Sequence, residues 1–168
     1  MSENKKKYYI GIDLGGTFIK GGIVDEKGSI VVDDKIPTES EKGGEKVMDN
    51  IALLVELLLK KAALRKEETE GIGMGVPGMI DSKNGVVIFS NNLKWHHLKI
   101  SEGVENRTGI KVKIANDANV AALGEAVYGA GRYVDDSILL TLGTGVGGGI
   151  MGVVPGVMGV AAFAPPLD

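Results

Sequence analysis

Three short stretches of the chain hold residue types at spacings on which group-transfer chemistry could be built. The first is Asp13-Leu14-Gly15-Gly16-Thr17, followed by Lys20. Adjacent glycines in a hairpin turn can adopt positive φ, which turns backbone N–H groups toward one point and keeps side chains clear; such a concavity suits phosphate oxygens. Thr17 adds a hydroxyl donor and Lys20 a nearby cation. Asp13 would repel a polyphosphate unless Mg²⁺ or water lay between them, so the string points to a metal–nucleotide complex, with Asp13 reaching Mg²⁺ through phosphate or water. An ordinary hairpin turn is the competing reading, and the full string Asp-x-Gly-Gly-Thr-x-x-Lys argues against it.

The second stretch is Asn116-Asp117-Ala118-Asn119, between an apolar run and an amphipathic one. Asn and Asp both cap helices. A carboxylate at the positive end of a helix also stays ionised and points outward, as an acceptor for a substrate hydroxyl proton must. Cap and base are compatible roles. The third stretch, Leu142-Gly143-Thr144-Gly145-Val146-Gly147-Gly148-Gly149, is a second glycine hairpin with the same capacity for phosphates. It is not a Walker A loop, because no Gly-Lys-Ser/Thr follows, nor a dinucleotide fingerprint, because a strand follows it. The two hairpins are expected to lie on separate strand pairs and to face the Asp117 carboxylate across a cleft.

The elements that must position these residues are legible in outline. Tyr8 to Asp13, Phe18 to Asp25 and Ile30 to Ile36 read as three strands joined by short turns, an antiparallel meander stopped by Pro37. Val47, Met48, Ile51, Leu54, Val55, Leu58, Leu59 and Ala62 recur at three- and four-residue steps, one face of a core helix. Gly71 to Val76 reads as a strand ending at Pro77-Gly78, and Val86 to Phe89 as a short strand. Ser101 to Thr108 reads as a helix with Ser101 as N-cap and Gly109 as its stop. Lys111 to Ala115 is predicted as a strand, Asp117 to Tyr128 as a helix, and Ser137 to Leu142 with Gly147 to Met151 as a strand pair. The expected fold class is α/β, a mixed sheet with flanking helices. One domain is expected over 1–115, and the start of a second over 116–168.

Composition narrows the field. The chain has 168 residues and a formal net charge of −3; its one tight basic run, Lys5-Lys6-Lys7, reads as a solvated terminus, so no nucleic-acid partner is expected. With no cysteine, neither a disulfide framework nor a thiolate zinc site is possible. The apolar stretch Ile51 to Leu59 is interrupted by Glu56 and too short to span a bilayer, and no membrane partner and a cytoplasmic location are the expectation.

Taken together, the motifs resemble those of the ROK family of bacterial sugar kinases and sugar-responsive repressors, within the actin-like ATPase (ribonuclease H-like) superfold. Asp13 to Lys20 resembles that family's first phosphate motif, Asn116 to Asn119 its catalytic motif, and Gly143 to Gly149 its second phosphate motif. Gly73-Met74-Gly75-Val76-Pro77-Gly78 and Ser90-Asn91-Asn92-Leu93-x-Trp95 resemble its sugar-pocket loops. The resemblance runs from about Tyr8 to Ile150 and is greatest to the glucokinases. It implies that Asp117 accepts a proton from a sugar hydroxyl, that of the 6-position of a hexose such as glucose, whose oxygen attacks the γ-phosphate of MgATP. It further implies that Gly15, Gly16, Thr17, Lys20, Gly143, Thr144, Gly145 and Gly147 serve the nucleotide. Asn91, Asn92 and Asn116 would then bind sugar hydroxyls, and Gly75, Pro77 and Gly78 let the sugar approach the backbone. For Asn91 and Asn92 a turn role is equally open. Trp95 is expected to be a packing anchor, and His96 and His97 exposed loop residues.

After Ile150 the resemblance fails. The family continues with Glu-x-Gly-His and a zinc-holding cysteine cluster, whereas residues 152–168 carry no charge before Asp168, no His and no Cys. A truncated form with weak or no turnover, without zinc and with an uncovered apolar strand pair that favours association or aggregation, is the expectation, a homo-oligomer being one possible form of it. A non-catalytic sugar-sensing module of the repressor type, or a fragment without function, are the alternatives.

Overall fold

The computed structural model describes residues 7–142, 146–154, 157–158 and 161–163, and the chain divides into two compact units, Met1–Ile114 and Ala115–Asp168. In the first, strands β1 (Tyr8–Leu14), β2 (Phe18–Asp25) and β3 (Ile30–Pro37) form the predicted meander. Alternation decides which face is buried: Ile10, Ile12 and Leu14 point inward while Gly11 and Asp13 face out. Helix α1 (Gly44–Ala62) lays Val47, Met48, Ile51, Leu54, Val55 and Leu58 on that inner face, each essentially inaccessible to solvent. It stops at Ala63, a left-handed residue whose N–H caps the carbonyls of Leu59 and Lys60.

Strand β4 (Thr69–Val76) then returns parallel to β1, with Gly11 beside Gly73 and Asp13 beside Gly75. Gly21 explains how closely α1 can approach: a Cβ there would stand 2.8 Å from Ile12 Cδ1 and 3.0 Å from both Leu54 Cδ2 and Leu58 Cδ1.

A second, three-stranded sheet follows from β5 (Met79–Asp81), β6 (Val86–Ser90) and β7 (Trp95–Leu98). Only β6 was predicted. The others are short and carry mixed patterns, and His96 and His97 stand on β7 rather than in a loop, both exposed. Helix α2 (Ile100–Thr108) starts one residue before the predicted cap. Lys99 holds the cap position without a side-chain capping bond, its ammonium pairing instead with Glu102 Oε2 at 3.3 Å, and Ser101 is buried inside the helix with its hydroxyl unpartnered. Gly109 ends the helix as expected, with φ 71° and its N–H on the Glu105 carbonyl. Arg107 joins α2 to α1, donating from Nε to Asp49 Oδ1 at 2.7 Å and from Nη2 to Glu45 Oε2 at 2.6 Å.

Strand β8 (Val112–Asn116) completes a five-stranded mixed sheet of order β3-β2-β1-β4-β8. One continuous core runs through the first unit, from Ile10 to Ile114.

In the second unit, helix α3 (Asp117–Val127) packs on the hairpin of β9 (Ser137–Leu142) and β10 (Val146–Met151). The two-residue strands β11 (Val153–Val154) and β12 (Val157–Met158) pair with each other, and β13 (Ala161–Phe163) pairs with β10. Glycines again set the distance between layers. A Cβ at Gly149 would meet Ala122 Cβ at 2.4 Å, and one at Gly147 would meet Thr141 Oγ1 at 2.4 Å and Ala118 Cβ at 3.4 Å.

Candidate functional site

The β1–β2 turn carries the first motif. Register pairs Asp13 with Lys20 and Leu14 with Ile19, so the outward alternation sets Asp13 and Lys20 side by side, their charged atoms 3.8 Å apart. The turn closes through the Gly15 N–H on the Phe18 carbonyl at 3.1 Å. Neither Gly15 nor Gly16 takes the positive φ expected of them. Gly15 is needed for a different reason: a Cβ there would lie 2.8 Å from the Phe18 carbonyl oxygen. Gly16 and Thr17 are exposed, with nothing within 4 Å of a Cβ built on Gly16. The result is an open, polar turn bordered by one cation and one carboxylate.

The braces of this turn were not singled out from sequence. Thr38, fully buried, donates its hydroxyl to the Gly15 carbonyl at 2.7 Å and its N–H to the Thr17 carbonyl at 2.9 Å. The Ser40 hydroxyl reaches the Gly16 carbonyl at 3.4 Å. Beneath them Asn50 donates to the Pro37 and Thr38 carbonyls, both at 3.3 Å, and to Glu39 Oε2 at 3.0 Å. Glu39 is held in a left-handed conformation, φ 56°. Its bond to Lys42, then those to Asn50 and Lys46, lower its carboxyl to about 2. The available sequence signal was the Pro37-Thr38 pair closing β3.

The two expected sugar loops come together at one junction. Gly78 has φ 119°, and a Cβ on it would stand 2.2 Å from the Phe89 carbonyl oxygen and 2.9 Å from Ser90 Cα. Only glycine allows the Gly75–Gly78 loop to rest on the end of β6, from which Asn91 and Asn92 emerge. Both asparagines are exposed, and a turn closes behind them through Lys94 N–H on the Asn91 carbonyl at 3.2 Å. Gly75 and Val76, at the end of β4, and Pro77 are buried, which leaves Gly78 as the exposed residue of the four. Trp95 is buried in the core and not presented to a ligand.

In the second unit, Asn116 is the N-cap of α3, its side-chain oxygen accepting from Ala118 N–H at 3.0 Å and Asn119 N–H at 3.3 Å. Because Asn116 fills that role, Asp117 is the first residue of the helix, half-buried. Its Oδ1 also accepts from Ala118 N–H, at 2.9 Å. The helix N-terminus thus holds the carboxyl group by one oxygen. At Gly147 a Cβ would run into Thr141 Oγ1 of the paired strand, while Ala118 of α3 lies at ordinary contact distance. Gly143, Thr144 and Gly145 lie outside the described residues.

The chemistry of the donor set can be tested against Mg²⁺. Among the described residues no group of three or more His, Cys, Asp or Glu side chains converges on a point. Asp13 is a single exposed carboxylate. Mg²⁺ that keeps several waters and arrives on substrate phosphates needs only one or two protein carboxylates, so Asp13 fits a nucleotide-borne ion.

A mixed five-stranded sheet whose first three strands form a meander, with the fourth parallel to the first, defines a ribonuclease H-like domain of the actin-like ATPase class. Sequence comparison narrows this further: the ROK family pattern matches residues 9–164, and the chain belongs to that family. It is 39% identical over 158 residues to a glucokinase of Halalkalibacterium halodurans, an alignment covering 92% of this chain and 48% of that protein. A xylose repressor of Caldicellulosiruptor bescii is 34% identical over 142 residues, covering 84% of this chain and 36% of the repressor. Among solved structures, a ROK family glucokinase from Streptomyces griseus in complex with glucose and AMPPNP superposes with TM-score 0.80 at 40% identity, over 92% of this chain and 48% of that one. The chain therefore spans about half, or less, of the length of the curated relatives it matches. No helix among the described residues is long and apolar enough to cross a membrane.

Proposed function

We propose that this chain carries the phosphate-binding and proton-accepting residues of an ATP-dependent hexose kinase, with glucose as the acceptor at its 6-hydroxyl. The observation that carries the reading is Asp117. Asn116 caps α3 in its place, so the carboxylate sits in the first helical turn with one oxygen bonded to the Ala118 N–H and the other left for a substrate proton. Asp117 takes the proton as the hydroxyl oxygen attacks the γ-phosphate. Asn91, Asn92 and Asn116 donate to and accept from sugar hydroxyls, and the Gly75-Val76-Pro77-Gly78 loop presents backbone to the sugar. Gly15, Gly16 and Thr17 donate to phosphate oxygens with Lys20 as their cation, and Gly143, Thr144, Gly145 and Gly147 serve the nucleotide in the same way. Phosphoryl transfer depends on positioning and charge stabilisation, which these groups are suited to supply. Mg²⁺, when bound with the nucleotide, neutralises phosphate charge, and Asp13 is the residue that would hold it directly or through water. The glucokinase relatives and the glucose and AMPPNP complex support this reading.

The repressor relatives favour a second reading, a sugar-sensing module that binds a sugar without phosphorylating it. Thermal-shift titration separates the alternatives. A kinase half raises its unfolding midpoint with MgATP and with glucose, because each ligand adds RT ln(1 + [L]/Kd) to its unfolding free energy. A sensor responds to sugar alone, and silence toward both contradicts either reading.

A further inference from the structure

The β1–β2 turn is shaped from behind. Its carbonyls are held one after another by the segment that follows β3. That of Gly15 accepts from the Thr38 hydroxyl at 2.7 Å, that of Gly16 from the Ser40 hydroxyl at 3.4 Å, and that of Thr17 from the Thr38 N–H at 2.9 Å. The peptide bonds here are trans, and in a trans peptide the C=O of one residue and the N–H of the next point in opposite directions. The N–H groups of Gly16, Thr17 and Phe18 are therefore turned away from residues 38–40. A hairpin turn of two residues often closes with its fourth N–H on its first carbonyl. Here the Thr38 hydroxyl holds that carbonyl, and the turn closes in the other direction, the Gly15 N–H on the Phe18 carbonyl at 3.1 Å. Three successive donors thus face one way without the positive φ expected of the two glycines. The brace is itself fixed in the core: Thr38 is fully buried, and Asn50 of α1, 5% exposed, donates to the Pro37 and Thr38 carbonyls.

We infer that Thr38 is a positioning residue for the nucleotide phosphates, acting through the backbone of the turn with Ser40 as its helper. The inference rests on the kinase reading for the identity of the anion, and on the contacts alone for the direction of the donors. Each contact governs one peptide plane: the Thr38 hydroxyl sets the Gly16 N–H, the Ser40 hydroxyl the Thr17 N–H, and the Thr38 N–H that of Phe18. The Thr38 N–H by itself would fasten β3 to the turn. The hydroxyl adds something else, because it keeps the Gly15 carbonyl from drawing in the Phe18 N–H and leaves that donor for an anion. Successive backbone N–H groups on one side of a turn make a concavity for phosphate oxygens. Asn50 ties the brace to α1, so the direction of the donors is set by the core of the first unit.

The test follows backbone amide shifts of the nitrogen-15-labelled chain during titration with sodium tripolyphosphate and, separately, with MgATP. The Gly16, Thr17 and Phe18 amides should move with both ligands. Thr38→Val keeps the N–H and removes the hydroxyl. It should silence the Gly16 amide and weaken both ligands about tenfold, the worth of a hydrogen bond to a charged group, whereas Thr38→Ser should bind within about twofold of the parent. Ser40→Ala should silence the Thr17 amide alone and, Ser40 being half-buried, carries the test if Thr38→Val does not fold. A merely structural role would lower the melting temperature without selecting amides by peptide plane. A parent chain that responds to tripolyphosphate and not to MgATP contradicts the kinase reading and supports the cradle. Undiminished binding of both ligands by Thr38→Val, or a Thr17 amide that still moves in Ser40→Ala, overturns the inference and leaves the kinase reading in place. Parent amides that stay still with both ligands overturn the inference outright.

Discussion

At the scale of single residues, side-chain freedom is constrained most where the candidate ligand groups meet the backbone. Gly78 adopts a φ of 119° that L side chains rarely take, and it rests directly on the Phe89 carbonyl. Gly78→Ala therefore combines backbone strain with a steric clash, and should destabilise the first unit by about 1–3 kcal/mol. It should also weaken glucose binding, because the loop must lift from β6. Urea unfolding midpoints with and without glucose check both effects. Glu39 offers a pH test of the brace beneath the first phosphate turn. Its carboxyl is lowered to about 2, chiefly by Lys42 and also by Asn50 and Lys46. A depressed folded value means its stabilisation is present above about pH 4.5, the ordinary glutamate range, and is lost as pH falls toward 2. Wild type should unfold at a higher temperature than Glu39→Gln at pH 6, with the gap closing progressively below pH 4.5. A gap that stays constant to pH 2 would contradict the assignment. Some of this scale was legible in the sequence: the Asp13 to Lys20 string and the Asn116-Asp117 pair stand where turn and helix start were expected. Which of Asn116 and Asp117 caps α3, and that Gly15 serves close approach rather than a left-handed turn, depends on atomic contacts that residue types do not encode.

At the scale of elements, strong periodicity was the reliable guide. Helix α1 and the β1–β3 meander follow from 3.6- and two-residue patterns that leave one solution for the buried face. Strands β5 and β7 were not legible. Met79-Ile80-Asp81 is too short to alternate, and Trp95-His96-His97-Leu98 pairs with β6 only through Trp95, His96 and Leu98, with His97 in a left-handed conformation at φ 50° that breaks the alternation. Ser101 misled because its type suits a cap, while the burial of Ile100 draws the helix start one residue earlier. Thr38 and Asn50 escaped notice for the same reason: their partners are carbonyls distant in sequence. The spacing of α1 from the sheet depends on Gly21. Gly21→Val drives methyl groups into Ile12, Leu54 and Leu58 at once and should cost about 1–3 kcal/mol. Chemical denaturation would register it as a lower midpoint with an unchanged slope.

At the scale of the whole molecule, the first unit holds one continuous apolar core, while the buried apolar residues described in the second are Ala118 and Ala122. Sequence could name the phosphate turn, the sugar loops and Asp117 because each motif is local in the chain, and it anticipated an uncovered apolar strand pair; which face of β9 is bare depends on where α3 packs. The most direct measurement of the central claim is transfer of label from γ-labelled ATP to glucose in the presence of Mg²⁺, at high protein concentration so that a single turnover is seen. Transfer by the chain should be weak, and Asp117→Asn should transfer about 10²–10⁴-fold more slowly still while binding glucose equally well. Transfer undiminished in Asp117→Asn would contradict the role given to Asp117.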